Sequence, residues 1–235
     1  MTTTDMTAAG RAPMTALRKT ALVAGIFYLL TFVSIPTLGL YSAVRGANYV
    51  LGAGPDTPVF VGAILEMIVA LTGIGTAIAL FPVLKRQHEG VALGFVASRV
   101  LEAATIYSGI VSLLSIVTLR QSGTGVAALA SGQALAAEYY WSFLFGQSFI
   151  PAVNGVLLGS LLYRSRLVPR ALPVLGFIGA STLVIAWVCT LSGIMEPVSP
   201  AAAILVLPIA AWEFSLGLYL TFKGFKPSPI TEGMA

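Results

Sequence analysis

Long apolar runs are the feature that most restricts how this chain can fold. Three of them, at residues 20–40, 59–84 and 91–119, are longer than the roughly 20 residues that cross about 30 Å of hydrocarbon. Backbone N–H and C=O groups have no water to bond in lipid, so such segments must be helical. The alternating pattern of an outer-membrane barrel strand is missing. The sequence therefore predicts an all-α polytopic membrane protein.

The scarcity of charge agrees with this class. Charged residues make up 9% of the 235 residues, whereas a soluble domain has roughly 25%. The first apolar run continues past the length of a secretory signal, and no clear cleavage site follows it, so we predict a retained helix. The predicted organisation is a short disordered cytoplasmic tail at 1–17, a six-helix transmembrane domain at 18–225 and a cytoplasmic tail at 226–235.

Six transmembrane helices follow from the turn signals between the apolar runs. A Gly-Pro cluster at 52–56, a polar hairpin at 85–90 and a Pro-rich turn at 196–200 separate neighbouring helices. The long loop at 120–137 ends in an Ala-rich stretch, which either extends the fourth helix or lies along the membrane interface. The helices are predicted at 18–40, 58–84, 91–118, 138–162, 171–195 and 201–223.

The distribution of Lys and Arg predicts the orientation. Of the 13 basic residues, ten fall in the N-terminal segment, the 85–90 hairpin, the 163–170 loop and the C-terminal tail. The loops of the other side hold only Arg45 and Arg120, and Arg99 lies within a helix. Basic residues are enriched on the cytoplasmic side, so both termini are predicted to be cytoplasmic (N-in/C-in). The net charge of +4 then reflects contact with anionic lipids of a cell (inner) membrane and gives no reason to expect nucleic-acid binding.

Four ionisable side chains fall well inside predicted spans. They are Glu66 in the second helix, Arg99 and Glu102 in the third, and Glu213 in the sixth. Each costs about 2.5–3.5 kcal/mol at the centre of a membrane helix, so we expect them to face the interior of the bundle. Arg99 and Glu102 are three residues apart and can pair within one helix. Asn154 in the fourth helix can bond across helices.

These polar residues leave three interpretations open. One is a ligand-binding or proton-carrying site for an unknown small solute, in a transport protein that uses Arg99 for an anionic group and Glu102 or Glu213 for a proton. The second is a non-catalytic scaffold or interaction protein in which the charges only fix helix packing. The third is an intramembrane enzyme that acts on lipid. Since three acids face one arginine, we expect at least one acid to carry a proton, because desolvation disfavours the charged form.

Motifs for catalysis, cofactors and metals are missing from the sequence. A nucleophile elbow, a phosphate-binding Gly-rich loop and paired histidines do not occur. One histidine, His88, and one cysteine, Cys189, make a transition-metal site improbable. We therefore expect no catalytic residues, no metal and no cofactor, and the sequence favours a protein that is not an enzyme. Six helices of this size can function singly or as a dimer.

The loop after the fourth predicted helix is strongly basic. It contains Arg164, Arg166 and Arg170 next to the membrane. These three arginines either anchor the protein to lipid phosphates in general or form a specific lipid-headgroup site.

Several short motifs, spread over nearly the whole chain, resemble the bacterial membrane-protein family known as domain of unknown function 4386. The resemblance implies a multi-pass bacterial inner-membrane protein, and it implies no activity. The motifs that carry it are Gly25-Ile26-Phe27-Tyr28-Leu29-Leu30, Phe81-Pro82-Val83-Leu84-Lys85, Arg99-Val100-Leu101-Glu102, Tyr163-Arg164-Ser165-Arg166-Leu167-Val168-Pro169-Arg170, Trp212-Glu213-Phe214 and Lys223-Gly224-Phe225.

Overall fold

The computed structural model describes residues 14–234, and every regular element in this range is helical. Most of the predicted N-terminal tail, residues 1–13, lies outside the described residues, as does Ala235. The main helices are α1 (Ala16–Leu30), α2 (Thr37–Leu40), α3 (Thr57–Gln121), α4 (Leu129–Phe143), α5 (Ile150–Ser165), α6 (Ala171–Leu191) and α7 (Pro200–Phe222).

Five helical segments of the described chain are long and apolar enough to cross a membrane. Their outer faces carry exposed aliphatic side chains, such as Ile78, Val111 and Leu207, each about 60% exposed. Apolar surface on this scale is unfavourable in water and favourable against acyl chains. The chain is therefore a multi-pass membrane protein. The five segments are Ala16–Leu40, Thr57–Gln121, Gly125–Ser165, Ala171–Leu191 and Pro200–Phe222.

Helix α3 is a hairpin of two helices rather than one straight rod. Its 65 residues would extend about 98 Å at the helical rise of about 1.5 Å per residue, three times the thickness of the hydrocarbon. At His88 the backbone becomes extended (φ −166°, ψ 106°), and the imidazole Nδ1 accepts a hydrogen bond from the Val91 N–H at 3.2 Å. This is the geometry of a helix N-cap, so a new helix begins after His88. Ala70 in the first half (57–87) packs in one apolar cluster with Ala103 in the second half (89–121).

Hydrogen bonds gather the loops into two ends of the bundle. At the end rich in Lys and Arg, termed the basic end, the Arg18 guanidinium donates to the carbonyl oxygen of Leu220, at the end of α7. At the opposite end, Arg120 binds Asp56, so that α3 begins and finishes in the same place. The start of α1 and the end of α7 therefore meet at one end of the molecule.

Prolines account for two departures from regular α-helical geometry, in the first and fourth predicted helices. The first predicted helix, 18–40, is interrupted because α1 ends at Leu30 and a 3₁₀ turn, Thr31–Ser34, leads to Pro36. Proline has no N–H to continue the hydrogen-bond ladder, and its ring crowds the carbonyl oxygen four residues earlier. The chain resumes α-helical hydrogen bonding in α2.

The fourth predicted helix, 138–162, is longer in the structure. The Ala-rich stretch before it is helical, so that a continuous segment runs through Gly125–Ser165. A π-helical turn, Leu144–Phe149, interrupts the α geometry just before Pro151. Pro151 cannot donate to the Gln147 carbonyl, and its ring crowds that carbonyl, so the turn widens. The widened turn places Gln147 in the interior, where it becomes part of the polar site described below.

Glycines allow neighbouring helices to approach closely. A Cβ on Gly25 of α1 would clash with the backbone and side chain of Thr221 on α7. A Cβ on Gly179 of α6 would lie 2.6 Å from the Cα of Ile209 on α7. Small residues at such contacts let membrane helices gain van der Waals contact along their length. Gly25 and Gly179 therefore allow α7 to pack closely against α1 and α6.

Substituting Gly179 by alanine is expected to lower the free energy of unfolding by about 1–3 kcal/mol, because the added methyl group meets backbone atoms that cannot move independently. Thermal unfolding of the purified protein in detergent measures this change. The matched control is Gly39→Ala in α2, where an added Cβ meets no atom within 4 Å. Equal melting temperatures for the two variants would show that α6 and α7 are not in close contact.

Candidate functional site

Arg99 is the centre of a polar cluster inside the bundle. Its side chain is only 4% exposed. Nη1 donates to Glu102 Oε2 at 2.9 Å, and Nη2 donates to Glu213 Oε1 on α7 at 3.2 Å. Nη2 also donates to the hydroxyl oxygen of Tyr28 on α1 at 3.2 Å. One guanidinium thus binds two carboxylates and a phenol that come from three helices.

A fourth helix joins the cluster through an amide. Asn154 on α5 is fully buried, and its Nδ2 donates at 2.7 Å to the same Glu102 oxygen that Arg99 binds. The guanidinium also lies over two aromatic rings, with its central carbon 5.4 Å from the Tyr28 centroid. Such cation–π contacts stabilise a cation out of water. The Arg99 cluster is defined as Tyr28, Arg99, Glu102, Asn154 and Glu213.

The cluster lies near the middle of the membrane-spanning helices. Arg99 is about 15 Å along α3 from the His88 break, given the rise of about 1.5 Å per residue. Asn154 and Glu213 lie at similar distances from the ends of α5 and α7 that face the basic end. Since the hydrocarbon is about 30 Å thick, neither interface is close enough for these side chains to reach water by extending along their helices.

A central cavity of about 190 Å³ leads to the cluster. Arg99, Glu102 and Glu213 line it, together with apolar side chains from the bundle. Ile35 and Val206 also line it, and both are exposed and lie toward the opposite end of the bundle. The Glu213 side chain is 17% exposed, compared with 11% for Glu102. Glu213 is therefore the acid of the cluster that is most accessible from the cavity.

The formal charges of the cluster do not balance. One guanidinium faces two carboxylates, so full ionisation leaves one uncompensated negative charge in a region of low dielectric constant. An isolated charge there is strongly disfavoured, and the group takes up a proton or a counter-ion instead. The geometry therefore favours a site that binds one more positive charge, and a proton on a carboxylate is the smallest that fits.

Glu66 belongs to a separate cluster. Its side chain is 2% exposed, and it accepts hydrogen bonds from the Tyr41 hydroxyl at 3.2 Å and from Gln147 Nε2 at 3.1 Å. No ion pair involves Glu66 within residues 14–234, and the cluster sits closer to the opposite end than Arg99 does. Gln147, from the π-helical turn, also lines the central cavity, so it lies between the two clusters. The structure thus brings together Arg99, Glu102, Asn154 and Glu213, and it leaves Glu66 apart from them.

Comparison with known proteins gives one match. A family model described as "Domain of unknown function (DUF4386)" covers residues 23–224. The chain belongs to the DUF4386 family. No curated protein and no solved structure matches it. In this DUF4386 protein, the motifs at 25–30, 99–102 and 212–214, on which the sequence resemblance rests, supply Tyr28, the Arg99–Glu102 pair and Glu213 to one cluster.

The charge pattern of this DUF4386 protein does not reveal two tyrosines that bind the buried charged side chains. Tyr28 binds Arg99 and Tyr41 binds Glu66, and both side chains are almost fully buried. A buried tyrosine hydroxyl normally has a hydrogen-bond partner, so Tyr28, far inside the first apolar run, is a signal that the sequence does contain. It is a weak signal, because tyrosine is also common at membrane interfaces.

The predicted headgroup arginines lie on the surface of the basic end. Arg164, Arg166 and Arg170 are all exposed, and the guanidinium of Arg170 lies 5.0 Å from the centroid of the Tyr163 ring. Arg166 has a left-handed backbone (φ 57°), which ends α5 and turns the chain toward α6. The three side chains therefore point away from the Arg99 cluster.

An ionic network closes the opposite end. Asp56 accepts hydrogen bonds from Tyr49 at 2.7 Å, from Gln121 at 2.8 Å and from Arg120. Desolvation alone would raise the pKa of Asp56, but these three hydrogen bonds and the charge of Arg120 outweigh it and lower the pKa below its usual value. Burial, followed by the bond to Asp56, raises the pKa of Tyr49 to about 12. The network fastens the loop before α3 to the end of α3.

Asp56→Asn is expected to reduce the acid sensitivity of the protein. Because the pKa of Asp56 is lower in the folded state, its stabilising effect is complete above about pH 4, the unfolded pKa of aspartate, and is lost as the pH falls through the folded pKa. Melting temperatures recorded from neutral to acidic pH should therefore fall more steeply for the wild type than for Asp56→Asn. Parallel curves would contradict this assignment.

Proposed function

We propose that the chain crosses the cytoplasmic (inner) membrane six times, with both termini in the cytoplasm. The break at His88 supports this count, because each half of α3 is longer than the roughly 20 residues that one crossing requires. The excess of Lys and Arg at the basic end supports the orientation, since such residues are enriched on the cytoplasmic side. The central cavity then opens toward the outer side.

We propose further that the protein binds a small solute together with a proton in the central cavity, as part of a transport function. The observation that carries this proposal is the position of Glu213, which contacts Arg99 and the cavity at the same time. Glu102 shares its oxygen with Asn154 and is held more firmly, so Glu213 carries the proton in this mechanism.

Protonation of Glu213 changes what Arg99 can bind. A charged Glu213 holds Nη2 through a charge-assisted hydrogen bond, which is about twice as strong as a neutral one. A protonated Glu213 holds it weakly and leaves the Arg99–Glu102 pair electrically neutral. Nη2 can then donate to an anionic group of a solute in the cavity. Proton and anion therefore favour each other's binding, which is the coupling that a proton-linked transporter needs.

The closed side of the cavity is consistent with one state of a transport cycle. Between the Arg99 cluster and the basic end lie side chains that are fully buried and apolar, including Phe95, Leu162 and Leu216. They separate the cluster from the cytoplasmic side. Opening this barrier while the outer side closes is the further conformation that transport requires.

Filling the cavity tests the proposal. Ala210 lines the cavity, whereas its neighbour Ala211 is exposed on the lipid side. In vesicles with an imposed pH gradient, uptake would be measured for a panel of labelled amino acids, organic acids and phosphate. We expect the wild type and Ala211→Phe to take up at least one of these solutes, and Ala210→Phe to lose that uptake. If Ala210→Phe transports as well as Ala211→Phe, or no solute is taken up, the proposed function is wrong.

The packing of the cluster favours a second candidate, a membrane scaffold or interaction protein. Arg99 bonds to side chains of α1, α3 and α7, and Asn154 adds a bond from α5, so the cluster links four helices. However, Arg99 Nε and Asn154 Oδ1 are buried and have no hydrogen-bond partner among residues 14–234. A cluster that served packing alone would be expected to satisfy these atoms. The scaffold predicts that apolar replacement of the whole cluster preserves the cellular role.

A further inference from the structure

A second polar site lies at the basic end, about half the molecule away from the Arg99 cluster. A surface pocket of about 460 Å³ is lined by three basic side chains, Arg166, Arg170 and Lys226, and by Val168, Pro169 and Pro227. Among residues 14–234, no Asp or Glu lines it. We term it the inner basic pocket.

The C-terminal segment completes this pocket. Its chain turns at Gly224 (φ 76°), and the Lys226 N–H donates to the Leu167 carbonyl at 2.8 Å. The Ser228 hydroxyl, 8% exposed, donates to the Ser165 carbonyl at 2.6 Å. These bonds hold the segment against the loop between α5 and α6. Lys226 is thereby brought to Arg166 and Arg170, although it is more than fifty residues away in sequence.

Further contacts keep both walls of the pocket in place. The Arg86 guanidinium donates to the carbonyl oxygens of Ile230 and Glu232, at 3.2 and 3.0 Å, so the segment is also tied to α3. The Arg170 guanidinium is held over the Tyr163 ring. The pocket is thus built on ordered backbone rather than on a free tail, which lowers the entropy lost when a ligand binds.

The charge and position of the pocket indicate which chemical group it binds. Arg170 is the N-cap residue of α6, so the positive end of this 21-residue helix lies beside the pocket. Helix N-termini and clustered guanidinium groups both favour phosphate oxygens. The pocket lies at the membrane face that carries most of the basic residues, where the headgroups of anionic lipids are concentrated.

We propose that the inner basic pocket binds one phosphate group through Arg166, Arg170 and Lys226. The phosphodiester of an anionic phospholipid headgroup and a free phosphate share this chemistry. The site is independent of the solute cavity. The site differs in one residue from the headgroup site predicted from the sequence, because Lys226 lines the pocket and Arg164 does not.

The test compares pocket cations with matched cations outside the pocket. Lys226→Ala is paired with Lys223→Ala, and Arg170→Ala with Arg164→Ala; both control residues are exposed and do not line the pocket. Full-length protein in detergent would be titrated with dioleoylphosphatidylglycerol, dioleoylphosphatidylcholine and inorganic phosphate, and binding followed by native mass spectrometry and melting temperature.

We expect the wild type and both controls to bind phosphatidylglycerol in preference to phosphatidylcholine. Each pocket substitution should weaken that binding about fivefold, the effect of one basic residue near a phosphate-rich surface. Stabilisation by inorganic phosphate without phosphatidylglycerol binding would support the site and identify free phosphate as its ligand. If pocket and control substitutions weaken binding equally, or neither phosphate source binds, the proposal is overturned.

Discussion

Arg99→Leu is expected to lower the free energy of unfolding by about 3–5 kcal/mol, the cost of removing one partner from a buried ion pair. The substitution removes the only cation from Glu102 and Glu213 within the described structure and leaves both carboxylates in the bundle interior. It also removes the partner of the Tyr28 hydroxyl. The melting temperature in detergent and the yield of monodisperse protein both report the loss.

Neutralising the acids should restore much of that stability. In the triple variant Arg99→Leu, Glu102→Gln, Glu213→Gln, no uncompensated charge remains in the cluster, and buried ion pairs can often be replaced at little cost. Arg164→Leu is the matched control, because this arginine is exposed and should change stability by less than about 0.5 kcal/mol. A single Arg99→Leu variant as stable as the wild type would rule out a buried ion-pair cluster.

Glu213→Gln is expected to abolish the pH dependence of solute uptake. Linked binding of one proton changes solute affinity by up to about tenfold per pH unit. Glutamine has the shape of a protonated glutamate but cannot ionise, so Arg99 Nη2 should be permanently free to bind an anionic group. Uptake by this variant should stay at the level that the wild type reaches at acidic pH. Initial rates in vesicles, measured over a range of external pH, give the result.

The matched control for this substitution is Glu138→Gln. Glu138 lies exposed on α4 and accepts a hydrogen bond from the Ser108 hydroxyl at 3.3 Å, and it is not part of the Arg99 cluster. It should keep the pH dependence of the wild type. A Glu213→Gln variant with an unchanged pH profile would show that another group carries the proton, and Glu102→Gln would then be the variant to examine.

The sequence contains most of the information about which residues are polar within the membrane, and little about which of them meet. The Arg99–Glu102 pair is predictable because residues three apart share a helix face. The partner acid is not predictable, because Glu66 and Glu213 are equally isolated charges in apolar helices. Which of them faces Arg99 depends on the packing of α7 between α1 and α6, and that packing is set by backbone contacts at Gly25 and Gly179.

Backbone interactions also explain the other differences between sequence and structure. The polar residues at 85–90 predict the turn at His88. That the turn consists of a single extended residue depends on the imidazole, which caps the following helix. Pro151 marks a disturbed helix in the sequence, but it does not show that the π-helical turn before it brings Gln147 to Glu66. Lys226 reaches the 165–170 loop through a backbone hydrogen bond, which any residue type can make.

Infrared difference spectroscopy of the purified protein, between neutral and acidic pH, tests whether Glu213 carries the proton, because it detects protonation of a buried carboxylate and needs no solute. We expect a carboxylic-acid C=O band that appears on acidification in the wild type, shifts in Glu102→Gln and is missing in Glu213→Gln. A wild-type spectrum identical to that of Glu213→Gln would contradict this expectation, since Glu213 would then carry no titrating proton.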